Sequence, residues 1–207
     1  MPGESISSQP RTALILAGGK SSRMGQDKAC LPFGKATLLE FLVERLRKVC
    51  GQIFMVTRPQ QSYAHLKLPV LLDVMPDKFS LGGLYSGLLQ SPAEVNFVCA
   101  CDMPLIAPRL VNFLFEQLAD HDAAVPQIGQ QLEPLCAVYA KICLPAIHAR
   151  LLANDLRMSG WLADVRSRFI STEEIETFDP HLHSFLNINT PADYQRLLAL
   201  CRMEFIG

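Results

Sequence analysis

Two stretches of this chain hold residue types that could manage phosphate chemistry. The first, Leu14-Ile15-Leu16-Ala17-Gly18-Gly19-Lys20-Ser21-Ser22-Arg23-Met24-Gly25-Gln26-Asp27-Lys28, is an apolar run that ends in paired glycines and continues into spaced cations. Without a Cβ to obstruct approach, backbone N–H groups at such a turn can point at phosphate oxygens. Arg23 can grip two oxygens through its planar fork, and Lys20 and Lys28 supply compact charge as negative charge moves in a transition state. The spacing excludes two better-known phosphate loops. A Walker loop needs Gly where Leu14 stands, and Lys20 occupies the place of the second glycine of a dinucleotide fingerprint. On composition alone, a glycine turn with solvated charges remains open.

The second stretch is Val95-Asn96-Phe97-Val98-Cys99-Ala100-Cys101-Asp102-Met103-Pro104. It puts Asp102 at the carboxyl end of a strand, where open α/β sheets bind ligands. A carboxylate there suits Mg2+, which takes one or two carboxylates and completes its shell with substrate phosphates; an Asp that merely starts a turn has the same pattern. A third segment, Asn187-Ile188-Asn189-Thr190-Pro191, places two amides two residues apart, on one face of a strand, able to donate and accept. Alternatively Asn189 only shapes the turn and Thr190 only caps a helix. Asp73 and a Gly82-Gly83 turn have no distinct reading by themselves.

These residues need elements to hold them. Apolar β-rich runs at Thr12 to Leu16, Ile53 to Thr57, Val70 to Leu72, Val95 to Cys101, Ala123 to Val125 and Phe185 to Ile188 alternate with helical periods. That alternation predicts a mostly parallel α/β sheet with helices on its faces. Leu38, Leu39, Leu42, Leu46 and Val49 recur at helical spacing behind a Thr37-x-x-Glu40 capping box. Leu110, Phe113, Leu114 and Leu118 follow Pro108, and a last helix opens at Thr190-Pro191 with Asp193 in its first turn. Gln130 to Tyr139 reads as an extended strand, Leu144 to Leu152 as a helix and Met158 to Val165 as a short helix.

Composition narrows the function classes. The 207 residues, 49% hydrophobic, suffice for one substantial core, so a single domain over 11–207 is expected after a disordered leader at 1–10. The 19 Lys and Arg nearly balance 20 Asp and Glu, which provides no basic field for nucleic acid or an anionic membrane. The apolar runs fall short of the roughly 20 residues of a membrane span. With no secretion signal, a cytoplasmic location is expected. The seven cysteines, Cys30, Cys50, Cys99, Cys101, Cys136, Cys143 and Cys201, lack metal-ligand spacing and read as reduced core thiols.

Taken together, Leu16-Ala17-Gly18-Gly19-x-x-x-Arg23-Met24-Gly25-x-Asp27-Lys28, Ser80-Leu81-Gly82-Gly83, Cys101-Asp102-Met103-Pro104, Glu133-Pro134-Leu135 and Asn187-Ile188-Asn189-Thr190-Pro191 resemble the molybdenum cofactor guanylyltransferase family from Arg11 to about Cys201. The resemblance implies a single-domain Rossmann-like nucleotidyltransferase fold with helices on both sheet faces. It implies transfer of GMP from GTP to molybdenum-molybdopterin, with Mg2+ as cofactor and pyrophosphate as the second product. By it, Leu16, Ala17, Gly18, Lys28, Asp73 and Asp102 bind GTP, Asp102 also holds Mg2+, Gly19 lies in the phosphate loop and Arg23 meets the triphosphate. Asn187 and Asn189 face the molybdopterin side. Transient contact with molybdopterin-supplying proteins and apo-molybdoenzymes is part of the same expectation. The family's Asn on the second strand is missing from Ile53-Phe54-Met55-Val56-Thr57-Arg58, where Thr57 is the available substitute. Rival readings are a CTP-dependent molybdopterin cytidylyltransferase, whose sequences usually carry Ala where Gly18 stands, and a non-catalytic adaptor that carries the nucleotide cofactor. A sugar-phosphate nucleotidyltransferase would share the loop logic and the Asp, but no added sugar-binding domain is seen in this length.

Overall fold

The computed structural model describes residues 10–17, 30–58 and 63–204. Its first half runs β1 (Thr12–Leu16), β2 (Pro32–Phe33), β3 (Ala36–Thr37), α1 (Leu38–Leu46), β4 (Gln52–Thr57), β5 (Val70–Leu72), α2 (Phe79–Gln90) and β6 (Val95–Ala100). The second half continues with α3 (Pro108–Leu118), β7 (Ala123–Ile128), β8 (Gln131–Leu132), β9 (Cys136–Ala140), α4 (Leu144–Leu152), β10 (Ser167–Ile170), α5 (Thr172–Glu176) and α6 (Pro191–Glu204). The main sheet has the order β10-β7-β9-β6-β1-β4-β5, with β8 paired to β7. Strands β5, β4, β1 and β6 are parallel, and β9 enters antiparallel between β6 and β7.

Burial on both faces explains the continuous apolar runs of the central strands. Along β1, Ala13 and Ile15 face one core with Leu39, Leu42 and Leu46 of α1, Leu110 and Leu114 of α3, and Ile175 of α5. Leu14 and Leu16 face the other, with Leu81, Leu84 and Leu88 of α2 and Ile147 and Leu151 of α4. Each fully buried Leu contributes about 1.5–3 kcal/mol of transfer free energy. Helix α1 starts where its capping box requires: Glu40 N–H donates to Thr37 Oγ1 at 3.2 Å and Thr37 N–H to Glu40 Oε2 at 2.7 Å. A third cluster, Leu31, Phe33, Leu38, Leu105, Ile188 and Leu197, ties the β2–β3 hairpin and α6 to the carboxyl edge of the sheet.

The structure corrects several expectations. Phe185 to Ile188 is not a strand. Leu182 is left-handed, Asp179 accepts from His183 N–H at 3.1 Å and Ser184 N–H at 2.7 Å, and a 3-10 turn satisfies Phe185 N–H and Leu186 N–H through the Leu182 and His183 carbonyls. Met158 to Val165 contains only a 3-10 turn at Leu162–Asp164, because the bond from Gly160 N–H to the Arg157 carbonyl closes a turn where a helix would have to continue. Gln130 to Tyr139 divides into β8 and β9 around Pro134, which has no N–H for a ladder. Gly82 and Gly83 lie inside α2, not in a turn. Cys30 is exposed, whereas Cys50, Cys99, Cys136 and Cys143 are buried free thiols and Cys101 is half-buried. Burial pushes the Cys50 thiol up to about 12, so it stays protonated. The side chain of Cys201 and residues 1–9 of the expected leader lie outside the described residues.

Asp122 joins β7 to β10. Its carboxylate accepts from Arg166 N–H at 3.0 Å and Nη2 at 2.7 Å, and the Arg166 hydrogen bond holds its carboxyl below the usual carboxylate range. A lowered folded value means that this stabilisation is complete above the ordinary carboxylate pKa of about 3.9 and is lost as pH falls through the lowered value. Asp122→Asn is therefore expected to flatten the fall in Tm below about pH 4. Thermal unfolding across that range checks this, and equal acid sensitivity in both proteins would remove Asp122 as a contributor.

Candidate active site

The site forms where the parallel strands end. Cys101 N–H donates to the Leu16 carbonyl at 3.1 Å, which brings the last residue of β1 beside the residue preceding Asp102. Ala17 N–H reaches the Val56 carbonyl at 2.8 Å, and Asp73 N–H reaches the Thr57 carbonyl at 2.8 Å. On the other side, Ile188 N–H donates to the Asp102 carbonyl at 2.9 Å. Leu16, Ala17, Asp73, Asp102, Asn187 and Asn189, scattered over the sequence, thus share one edge of the sheet. Gly18, Gly19, Arg23 and Lys28 lie outside the described residues.

Each carboxylate is positioned differently. Asp102 is half-buried just past β6, and the turn after it is fixed by Arg45, whose Nε donates to the Ile106 carbonyl at 2.7 Å. Asp73 is buried, and its Oδ1 accepts from Met75 N–H and lies within hydrogen-bond distance of Ser86 Oγ, each at 2.9 Å. That shapes the path from β5 into α2. Asn187 and Asn189 are exposed on either side of buried Ile188, so they share a face although no strand forms there. Asn187 Nδ2 donates to the Phe185 carbonyl at 3.3 Å. Thr190 does cap α6: Asp193 N–H donates to its Oγ1 at 3.2 Å, and Asp193 Oδ2 accepts from Asn189 N–H at 3.0 Å. Hydrogen bonds from Thr190 hold the Asp193 carboxyl below its ordinary value. Thr57 is buried at the end of β4. Glu133 is half-buried and burial raises its carboxyl; its turn meets β6 through Ala100 N–H and the Leu135 carbonyl at 3.2 Å.

Sequence reasoning missed the contribution of α2. Its first turn ends the β5 connection at this edge, and a Cβ on Gly83 would lie 3.9 Å from Leu16 Cδ1. One turn further, a Cβ on Gly87 would come within 2.9 Å of Val56 Cγ2, so the helix lies directly on β1 and β4. The available signal was the spacing of small residues, Gly82 with Ser86 and Gly83 with Gly87, which marks a close helix face.

Residues 13–168 match the MobA-like NTP transferase domain model, and a protein from Desulfosudis oleivorans named molybdenum cofactor guanylyltransferase is 30% identical over 187 residues, covering 89% of this chain and 93% of its own. The chain belongs to the molybdenum cofactor guanylyltransferases, a nucleotidyltransferase family. A second family member, from Methanosarcina mazei and named "Probable molybdenum cofactor guanylyltransferase", is 38% identical over 205 residues, covering 91% of this chain and 90% of its own. The crystal structure of molybdopterin-guanine dinucleotide biosynthesis protein A from Archaeoglobus fulgidus superposes with a TM-score of 0.82 at 25% identity, over 93% of this chain and 99% of that one. The fold of this guanylyltransferase is the expected one, a mostly parallel sheet with helices on both faces. Among the described residues no helix is long and apolar enough to cross a membrane.

Proposed function

We propose that the protein transfers GMP from GTP to the terminal phosphate of molybdenum-molybdopterin. A phosphate oxygen of molybdopterin attacks the α-phosphorus, the bond to the bridging oxygen breaks, and pyrophosphate leaves with the electron pair. The observation that carries this reading is the convergence of Leu16, Asp102 and Ile188 through two backbone hydrogen bonds, from Cys101 N–H at 3.1 Å and from Ile188 N–H at 2.9 Å. It joins the start of the phosphate loop, a carboxylate and the two amides at one edge.

The reaction needs no protein nucleophile, because its demand is orientation of two anions and stabilisation of the departing charge. Leu16, Ala17 and the N–H groups of Gly18 and Gly19 would seat the nucleotide. Arg23 would grip the triphosphate, and Lys28 would neutralise the leaving pyrophosphate. Asp73 orders the approach to α2 beside the nucleotide, and Asn187 and Asn189 would hold molybdopterin on the opposite flank. Among the described residues no three His, Cys, Asp or Glu side chains cluster, so the donor set does not suit a site built wholly from protein ligands. A carboxylate beside two phosphorylated substrates would fit Mg2+, with Asp102 holding it. When bound, Mg2+ would act as a Lewis acid on phosphoryl oxygens. A cytoplasmic setting, with delivery of product to apo-molybdoenzymes, accords with this chemistry.

The test supplies purified protein with Mg2+, molybdopterin and either GTP or CTP, and measures the dinucleotide and pyrophosphate. GTP-dependent release of pyrophosphate is expected. Equal use of CTP would overturn the base assignment, and binding without pyrophosphate would make the protein an adaptor. Gly18→Ala should penalise GTP relative to CTP by roughly 1–3 kcal/mol in kcat/KM, as expected for a methyl-sized change in a pocket. A uniform loss would refute purine accommodation as the role of this glycine.

A further inference from the structure

β1 has β4 on one side and β6 on the other, so the carboxyl end of β1 lies between two flanks. Asp102 and the 187–189 segment occupy the β6 flank. On the β4 flank stand Arg58, directly after the strand, and Phe79, which opens α2 one turn before Gly83. Arg58 reaches over to the turn before α2, donating from Nη2 to the Pro76 carbonyl at 2.8 Å, so its guanidinium is held in place. Its Nε is buried without a hydrogen-bond partner among the described residues, so the donors open to a ligand lie on the outer Nη edge of the guanidinium. Phe79 is 57% exposed and has φ +52° and ψ −142°, a backbone region that costs a bulky residue strain. A large apolar side chain is thus displayed, against both exposure and strain, three residues after the carbonyl that holds the Arg58 guanidinium. Val74, on the same connection, is also exposed.

We propose that Phe79 and Arg58 receive the guanine ring of GTP, Phe79 stacking on its face and Arg58 donating to its O6/N7 edge. The proposal rests on the assignment of GTP to this site. An aromatic face stacks on any base, whereas the guanidinium fork matches the two acceptors on the guanine edge. Adenine offers an amino donor in place of O6, and cytosine an amino group on its corresponding edge, so Arg58 would select and Phe79 would hold.

The test compares wild type, Phe79→Gly, Phe79→Trp, Arg58→Lys and Arg58→Gln by calorimetric binding of GTP, CTP, ATP and inorganic tripolyphosphate with Mg2+, together with Tm. Phe79→Gly should weaken GTP about 5- to 100-fold while raising Tm by a few degrees, because strain and stacking are lost together. Phe79→Trp should retain affinity. Arg58→Lys keeps the charge and loses the fork, so it should weaken GTP by about tenfold and leave CTP and tripolyphosphate unchanged. Arg58→Gln should likewise lose the preference for GTP over ATP. Unchanged GTP affinity in Phe79→Gly, or a loss in Arg58→Lys shared by GTP, CTP and tripolyphosphate, would overturn the base assignment while leaving a functioning nucleotide site. Wild-type protein that binds none of the nucleotides would overturn the functional reading as well.

Discussion

Asp102→Asn is expected to fold normally and to lose transfer by on the order of 10^2- to 10^3-fold or more, the range found when one group that stabilises transition-state charge is removed. The substitution keeps shape and removes the charge that a hard cation requires. Asp102 is half-buried, and the bond that ties its residue to the 187–189 segment uses its backbone carbonyl, which Asn retains. The Tm should therefore change far less than the activity does. Pyrophosphate release at saturating GTP and Mg2+, measured beside thermal unfolding, decides the matter. Near-normal turnover would dismiss Asp102 as the metal-holding residue. A parallel collapse in Tm would make its role structural.

The second large effect is in stability. A Cβ at Gly82 would stand 2.3 Å from the Met75 carbonyl oxygen and 3.0 Å from Lys78 Cβ. The carbonyl has little room to retreat, since Met75 N–H is bound to Asp73 Oδ1 at 2.9 Å, Lys78 N–H donates to Met75 O at 2.9 Å, and Asp73 N–H is tied to β4. Gly82→Ala should cost about 1–3 kcal/mol as overpacking against a backbone that is held in place. For a chain of this size each kcal/mol corresponds to about 2–4 °C in Tm. GTP affinity should fall with it, because relief of the clash must move Asp73 or the first turn of α2. Gly83→Ala is the matched control: its Cβ meets Leu16 at 3.9 Å, an ordinary contact, and Ala is the better helix former. The control should hold or raise Tm. Equal Tm for the two variants would mean that α2 shifts freely, and the close packing assigned to Gly82 would be wrong.

Some elements were legible because local chemistry and burial agree. The capping box of Thr37 and Glu40, the Leu110 to Leu118 stripe and the run of Thr12 to Leu16 each appear with the expected type and nearly the expected ends. Helix α2 was hidden because Leu81, Gly82, Gly83, Leu84, Ser86, Gly87 and Leu88 are buried, which erases the polar face that makes a helical period visible. The Phe185 to Ile188 expectation erred for the opposite reason. Ile188 is buried between exposed Asn187 and Asn189, but Phe185 N–H and Leu186 N–H, which begin the segment, are already bonded to the Leu182 and His183 carbonyls.

From the chain alone come residue types and their nearness to strand ends: paired glycines and cations after one strand, an Asp after another, and two amides before the last helix. Those follow from residue types at short spacing, which local sequence controls. Tertiary structure alone decides which flank each piece occupies. The order β6-β1-β4-β5, the reach of Arg58 to Pro76 and the display of Phe79 depend on contacts between residues distant in sequence. No local period encodes such contacts, because burial and hydrogen-bond satisfaction across the sheet select them only when the whole core closes.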